Sequence, residues 1–344
     1  MPPNHRSTPW FRGLIAAGAT TLLLSAPSAG ATTPLATAPW KMVASPFPLA
    51  QVYIDSLRTQ LEDQLQTRVQ LQFDDPSEGL VPPKPGSDPK LAQRTIWLVS
   101  EGNSSLTGNP AHNPRHLANF EPLVIFMEIP WCLFALKTSP AIGQKDLLSW
   151  LSSLGRPARI GVGVYSGSPV MWVHALSSRA KSKSKTGQSL QVQARPFQGA
   201  EMLTPMLEKS VDLAISRCSH MRKIGNEVAV VAKSHNETIR YVPPVPTFTD
   251  LGLPPLGRGW HGAFAPRNMA QADKQKLITA FESITTSAET QKAILDIWQI
   301  PLRIDHAASQ RYIHHYIQTW QAIFDLMERS AQEETAAATA PRSH

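Results

Sequence analysis

The chain reads as an α/β protein of two lobes, each a mostly parallel sheet flanked by helices. Short β-rich runs alternate with amphipathic helical runs from Lys41 onward, the pattern of helices layered on parallel strands. The alternation occurs twice, which suits two similar lobes. About 310 residues follow a leader-like segment, more than a single hydrophobic core usually accommodates.

Strands are predicted over 41–45, 69–73, 95–100, 122–128, 131–136, 159–163, 191–195, 211–216, 228–233 and 260–265. Helices are predicted over 49–66, 145–154, 169–180, 199–208, 271–287 and 289–297. The clearest helix is the last, between Ala307 and Ala331. There Ile313, Tyr316, Ile317, Trp320, Ile323, Phe324 and Leu326 or Met327 recur at three- and four-residue intervals, so one apolar face should dock on a core. Three stretches read as irregular: the proline-rich Asp74 to Gln93, the Lys/Ser run from Arg179 to Lys185, and an Ala/Glu tail, 333–344, expected to be disordered.

The first 31 residues have the parts of a secretory signal. Arg6 and Arg12 make a basic n-region, Gly13 to Ala26 an apolar h-region, and Ala29 and Ala31 the small residues before a cut. The apolar run stops short of the about 20 residues that span a bilayer. Later, Pro122 to Leu136 is the most apolar run, but Glu128, Pro130 and Trp131 interrupt it. The mature chain is therefore expected outside the cytoplasm, in the periplasm. Cleavage takes away Arg6 and Arg12 and no acid, leaving 31 of the 33 basic residues against 26 acids. Much of that mild excess sits in Arg179 to Lys185, a solvated run more than a nucleic-acid groove, so no nucleic-acid partner is expected. Cys132 and Cys218 are the two cysteines; export permits a bridge between them, and a core of this size does not require one.

No catalytic, metal or cofactor set emerges. In Gly163-Val164-Tyr165-Ser166-Gly167 the serine sits one place late for a nucleophile elbow. His112 and His116 are spaced for a helix, but Pro110 and Pro114 disfavour one there. His314 and His315 are adjacent and cannot share a helix face. Arg195, Arg217 and His220 fall near strand ends in the second lobe, where a guanidinium can meet a carboxylate. Asp212 opens an apolar strand, either fixing a turn or accepting backbone amides. Cys218, beside Arg217, is either a reactive or an inert thiol if unbridged. Strand alternation sends Trp260 and His261 to opposite faces, so at most one of them faces a cleft.

An ordered set of motifs then narrows the class. Val245-Pro246-Thr247-Phe248-Thr249-Asp250-Leu251-Gly252 precedes Gly259-Trp260-His261-Gly262-Ala263-Phe264-Ala265-Pro266 and a helix. Before them come Pro46-Phe47-Pro48, Asn119-Phe120-Glu121-Pro122, Gly163 to Pro169, Pro196-Phe197-Gln198-Gly199 and Val211-Asp212-Leu213. This set, from Lys41 to Met327, resembles the substrate-binding proteins of tripartite tricarboxylate transporters, the Bug-type receptors. The resemblance implies a two-lobed type II periplasmic-binding-protein fold, with one lobe from 38–138 plus 258–332 and the other from 139–257. It implies a monomeric receptor that captures a small organic acid and delivers it to inner-membrane permease subunits.

In such receptors backbone N–H groups of two loops at helix N-termini hold the ligand carboxylate, where orphan amides and the helix dipole favour an anion. The matching loops are Ser45 to Tyr53 and Val164 to Ser168. The candidate ligand-binding residues are therefore Ser45, Phe47, Gln51, Tyr53, Tyr165, Ser166, Gly167 and Ser168, with Arg217 added from its strand end. The second loop keeps its glycines. In the first, Leu49-Ala50-Gln51-Val52-Tyr53-Ile54 replaces the relatives' glycine run, so side chains intrude, with Gln51 and Tyr53 offering donors and a different specificity. A sensor or adaptor of the same fold, signalling to a membrane partner without transport, is the alternative expectation.

Overall fold

The computed structural model describes residues 39–44, 51–73, 93–101, 116–163, 167–183, 191–197, 201–239 and 241–339. The expected signal, Ser45, Phe47, Tyr165, Ser166 and His112 lie outside them. Two sheets organise the rest. The first has the order β11-β4-β10-β3-β1-β2, from β1 (Trp40–Ala44), β2 (Val69–Phe73), β3 (Thr95–Ser100), β4 (Phe120–Ile129), β10 (Gly259–Pro266) and β11 (Ile300–Pro301). The second has the order β7-β6-β8-β5-β9, from β5 (Trp131–Leu136), β6 (Ala158–Gly163), β7 (Val192–Phe197), β8 (Leu213–Arg217) and β9 (Val228–Lys233).

The α/β class holds, but the sheets are mixed, not mostly parallel. β1 pairs in parallel with β2 and β3, and β6 with β7 and β8. β4, β10 and β11 pair antiparallel in the first sheet, and β5 with β8 and β9 in the second. The cause lies in the passages between sheets. β4 leads through Pro130 straight into β5, so a strand leaving one sheet enters the other without a crossover helix. The chain therefore changes sheets at Pro130, whereas a lobe boundary at 138/139 would leave β5 with the first sheet.

Period-2 alternation decides what covers each face. In the first sheet Met42, Ile96, Leu98, Phe126 and Ala263 face a core closed by α1 (Gln51–Leu65), α5 (Gln271–Thr286) and α6 (Ala288–Asp296). Val43, Trp97, Ile125, Trp260 and Phe264 face the other way, onto Ile313 and Tyr316 of α7 (His306–Thr339). In the second sheet Leu133, Ile160 and Ile215 pack on α2 (Leu147–Ser152) and α3 (Gly167–Lys183). Phe134, Ala214 and Val230 face Met206 of α4 (Leu203–Leu207). Cys132 and Cys218 are joined by a disulfide within that last core, which rules out a reactive thiol at Cys218.

Two expectations of irregular chain are corrected. α3 runs on through Lys183, and α7 through Thr339, into the tail expected to be disordered. Ala, Glu, Lys and Arg are strong helix formers, and each segment continues a helix already nucleated by packing.

The Gly-x-x-Gly of β10 is a packing requirement. A Cβ on Gly262 would lie 2.6 Å from the Val124 carbonyl, and one on Gly259 2.9 Å from Ile129 Cβ. These close approaches accompany a register shift between β10 and β4. Beside it Ser309 of α7 accepts the Ile125 N–H at 3.0 Å.

Candidate functional site

The C-terminal edges of the parallel strands in both sheets carry the polar groups. On the second sheet, α3 follows β6 and presents its orphan N-terminal amides, while β8 ends at Arg217. On the first sheet, Glu101 follows directly on β3, α1 begins beyond β1, and His261 of β10 lies opposite Ser100. The two edges meet: the Ser168 N–H, in the first turn of α3, donates to Glu101 Oε1.

Glu101 is 3 % exposed. Burial pushes its carboxyl up, opposed by the Ser168 amide and the charge of Arg217. Arg217 is half-buried; desolvation lowers its guanidinium to about 10, and Glu101 acts against that. His261 is driven down to about 4 by burial and then by Arg217. His220 is lowered to about 4 by burial, then Arg217 and Lys223, and its Nδ1 lies 2.6 Å from Ser216 Oγ. At neutral pH both imidazoles are neutral, so Arg217 is the cation that faces Glu101 among these groups.

Two buried hydroxyls complete the site. Tyr53 packs against His261 and Phe126 with ring centroids 6.0 and 6.1 Å away. Among the described residues its Oη has no hydrogen-bond partner, and the residue is 1 % exposed. Ser168, also 1 % exposed, interacts through its hydroxyl with Glu101 and Tyr316 without completing a well-formed hydrogen bond.

The expected site residues divide accordingly. Tyr53, Ser168 and Arg217 line the meeting edges, and Gly167 opens α3. Gln51 is exposed and its amide turns along the helix to Asp55 at 3.4 Å. Arg195 is exposed on β7 and bonds Gln193 at 2.9 Å, away from these edges. His116 accepts the Ala118 N–H at 3.1 Å and caps a short turn, and His314 and His315 are exposed. Of the β10 pair, Trp260 is buried against α7 and His261 faces Tyr53, as alternation requires.

Asp212 is structural. It accepts both Arg156 guanidinium nitrogens at 2.8 and 2.5 Å and the Arg159 N–H at 2.8 Å. Against the upward push of burial, these partners hold its carboxyl below the usual range. Glu101 escaped the sequence reading; its signal is a lone acid ending the otherwise apolar strand Thr95 to Ser100.

A separate shallow groove of about 510 Å³ lies along Ile142, Lys145, Val230, Val245, Pro246 and Asp250. It contains none of the convergent groups above. Among the described residues no cluster of His, Cys, Asp and Glu could hold a metal ion, and no helix is long and apolar enough to cross a membrane.

No protein-family model and no curated protein sequence matches the chain. Solved structures do. A TctC solute-binding protein from Polaromonas superposes with a TM-score of 0.60 at 12 % identity, over 83 % of this chain and 98 % of that one. A Rhodopseudomonas palustris protein, Rpa4515, solved with adipate, gives 0.61 at 17 % identity over 84 % and 97 % of the two chains. MatC from the same organism, solved with malate, gives 0.58 at 19 % identity over 83 % and 98 %. The chain thus has the two-lobed fold of TctC-type solute-binding proteins, spanning nearly the whole length of each.

Proposed function

We propose that the protein is an extracytoplasmic solute-binding receptor, not an enzyme. It captures a small carboxylate-bearing solute between its lobes and presents it to a permease of the tripartite tricarboxylate type. The observation that carries this reading is the convergence of Arg217 and the N-terminal amides of α3 on the edge bearing Tyr53 and His261. Orphan amides and a guanidinium are anion donors, and the imidazoles beside them are neutral at pH 7. The fold likeness to adipate- and malate-bound proteins supports the solute class. The leader-like first 31 residues support a periplasmic location.

In this reading the lobes are 38–138 with 258–332 and 139–257, with β5 reassigned to the latter, and the receptor is monomeric. Ser45, Phe47, Tyr165, Ser166 and Gly167 supply the loop contacts, while Tyr53 and Arg217 bracket the solute. The test is a thermal-shift screen of the mature protein against mono- and dicarboxylates, amides and amino acids. A ligand at a hundredfold excess over Kd stabilises by about 2.7 kcal/mol, and no shift with any acid sinks the reading. A sensor of the same fold is the second reading, favoured by Glu101, which already occupies an α3 amide. A sensor kinase gene beside this one, in place of permease genes, would select it.

A further inference from the structure

We propose that Glu101 is a specificity-determining residue that acts as a built-in competitor for the solute carboxylate. It reaches from the first lobe, takes an orphan amide of α3 in the second, and faces Arg217, so a solute acid must displace it to bind. The inference rests on the receptor reading above and deepens it.

Four observations support the assignment. Ser168 lies in the first turn of a helix of 17 residues, where N–H groups have no intrahelical acceptor and attract anions. Glu101 fills that acceptor position and is 3 % exposed. Arg217, the cation an anionic solute would seek, is already in electrostatic contact with Glu101. Buried donors remain: among the described residues Tyr53 Oη, beside His261, has no hydrogen-bond partner, and Ser168 Oγ, though in contact with Glu101 and Tyr316, completes no well-formed hydrogen bond. Donors left over around an internal carboxylate are what a site built for a larger acceptor would retain.

Among the described residues the groups that act on Glu101 include Arg217 and Ser168 from the second lobe and Tyr312 and Tyr316 of α7, with His261 and His220 interacting with Arg217. Glu101 is the one acid among them, so it cancels the charge of Arg217. A solute carboxylate then meets an edge without net positive charge. If Glu101 vacates the amide in about a tenth of molecules, the apparent affinity for the acid falls about tenfold.

The experiment is titration calorimetry of the mature protein with malate, adipate and the matching neutral diamides. The proteins are the wild type, Glu101→Ser, the volume-conserving Glu101→Gln, and Glu101→Ser combined with Arg217→Met. Glu101→Ser is expected to bind a dicarboxylate at least about tenfold tighter than wild type, with diamides unchanged, and the added Arg217→Met removes the gain. Glu101→Gln, which keeps an acceptor for Ser168 and loses only the charge, should gain in the same direction and serves if the serine variant misfolds. Equal dicarboxylate affinity in wild type and variants overturns the inference and leaves the receptor reading standing. So does a gain shared by the diamides, which would mean a merely loosened fold. Silence of every form toward every acid overturns both.

Discussion

Two buried glutamates lie at the ends of the two strands that flank β10 in the first sheet, and their surroundings treat them in opposite ways. Glu128, near the end of β4, accepts Arg258 at 2.8 Å and the Tyr312 hydroxyl at 3.0 Å, with His235 Nε2 at 3.3 Å. Arg258 also reaches Glu237 at 3.1 Å. Burial pushes the Glu128 carboxyl up, but His235, Arg258 and Tyr312 together bring it below its usual value. At Glu101 burial wins and the carboxyl is raised. Glu128 sits where the chain passes between sheets, a place that must hold its geometry, and every partner there is supplied by the fold. Glu101 sits where the sheets meet, and its partners are the donors a solute would use. Glu128 is held as an anion by partners the fold supplies, whereas Glu101 is left costly to ionise, and groups perturbed in that way gather at functional sites.

Four predictions probe that contrast. The largest effect concerns the disulfide, which anchors Cys218 directly beside Arg217 across a sequence separation of 86. Replacing both cysteines by alanine should cost about 4 kcal/mol, seen as a lower denaturation midpoint, with solute affinity falling as Arg217 loses its seat. Next, Glu128→Ala should cost about 3 kcal/mol by chemical denaturation, since it leaves a desolvated Tyr312 hydroxyl and removes the buried one of Arg258's two acceptors. Glu101→Gln should cost less than half of that, because it relieves a carboxyl that burial disfavours. Reversing this order would remove the distinction between the two glutamates.

The third prediction concerns pH. His261 and His220, lowered to about 4 in the folded chain, rise to about 6.5 on unfolding. Their contribution is complete above about pH 6.5 and is lost as pH falls toward 4, because the unfolded state takes up protons first. Glu101, raised in the fold, has the opposite sign and partly offsets the loss as it protonates. Each histidine loses about 2 kcal/mol between pH 7 and pH 5, less what Glu101 returns, read from denaturation midpoints; His261→Gln should flatten that slope. Asp212 and Glu128, both held low, keep their contributions above the ordinary carboxylate range and lose them as the pH falls through that range toward their lowered values. The smallest effect is at Arg195: its alanine variant should change stability by under about 0.5 kcal/mol and leave solute binding unaltered, whereas Arg217→Met should abolish binding.

Much of the scaffold was legible. The runs at 69–73, 95–100, 131–136 and 228–233 are strands with the bounds read from the chain, because short runs of apolar and β-branched residues act locally. Trp260 and His261 fall on opposite faces because successive side chains of a strand alternate. The direction of β4, β5 and β10 was not legible, because strand pairing is a long-range choice that leaves little mark on the residues themselves. The helical tail through Thr339 was hidden because composition was read as disorder where propensity favours a helix. Of the site, Tyr53, Ser168 and Arg217 were named from motif and strand-end position. Glu101 was missed, since a single acid after an apolar strand looks like a solvated turn until a helix from the other lobe covers it.

The sequence by itself determined the α/β class, nearly every element and the Arg217 strand end, because these depend on residues adjacent along the chain. Only the tertiary structure decided that Cys132 and Cys218 pair, that Asp212 is a clamp, and that Glu101 takes the amide of Ser168. Each of those joins residues more than 50 positions apart, and burial, which sets the charge of every group at the site, exists only once the chain has folded around it.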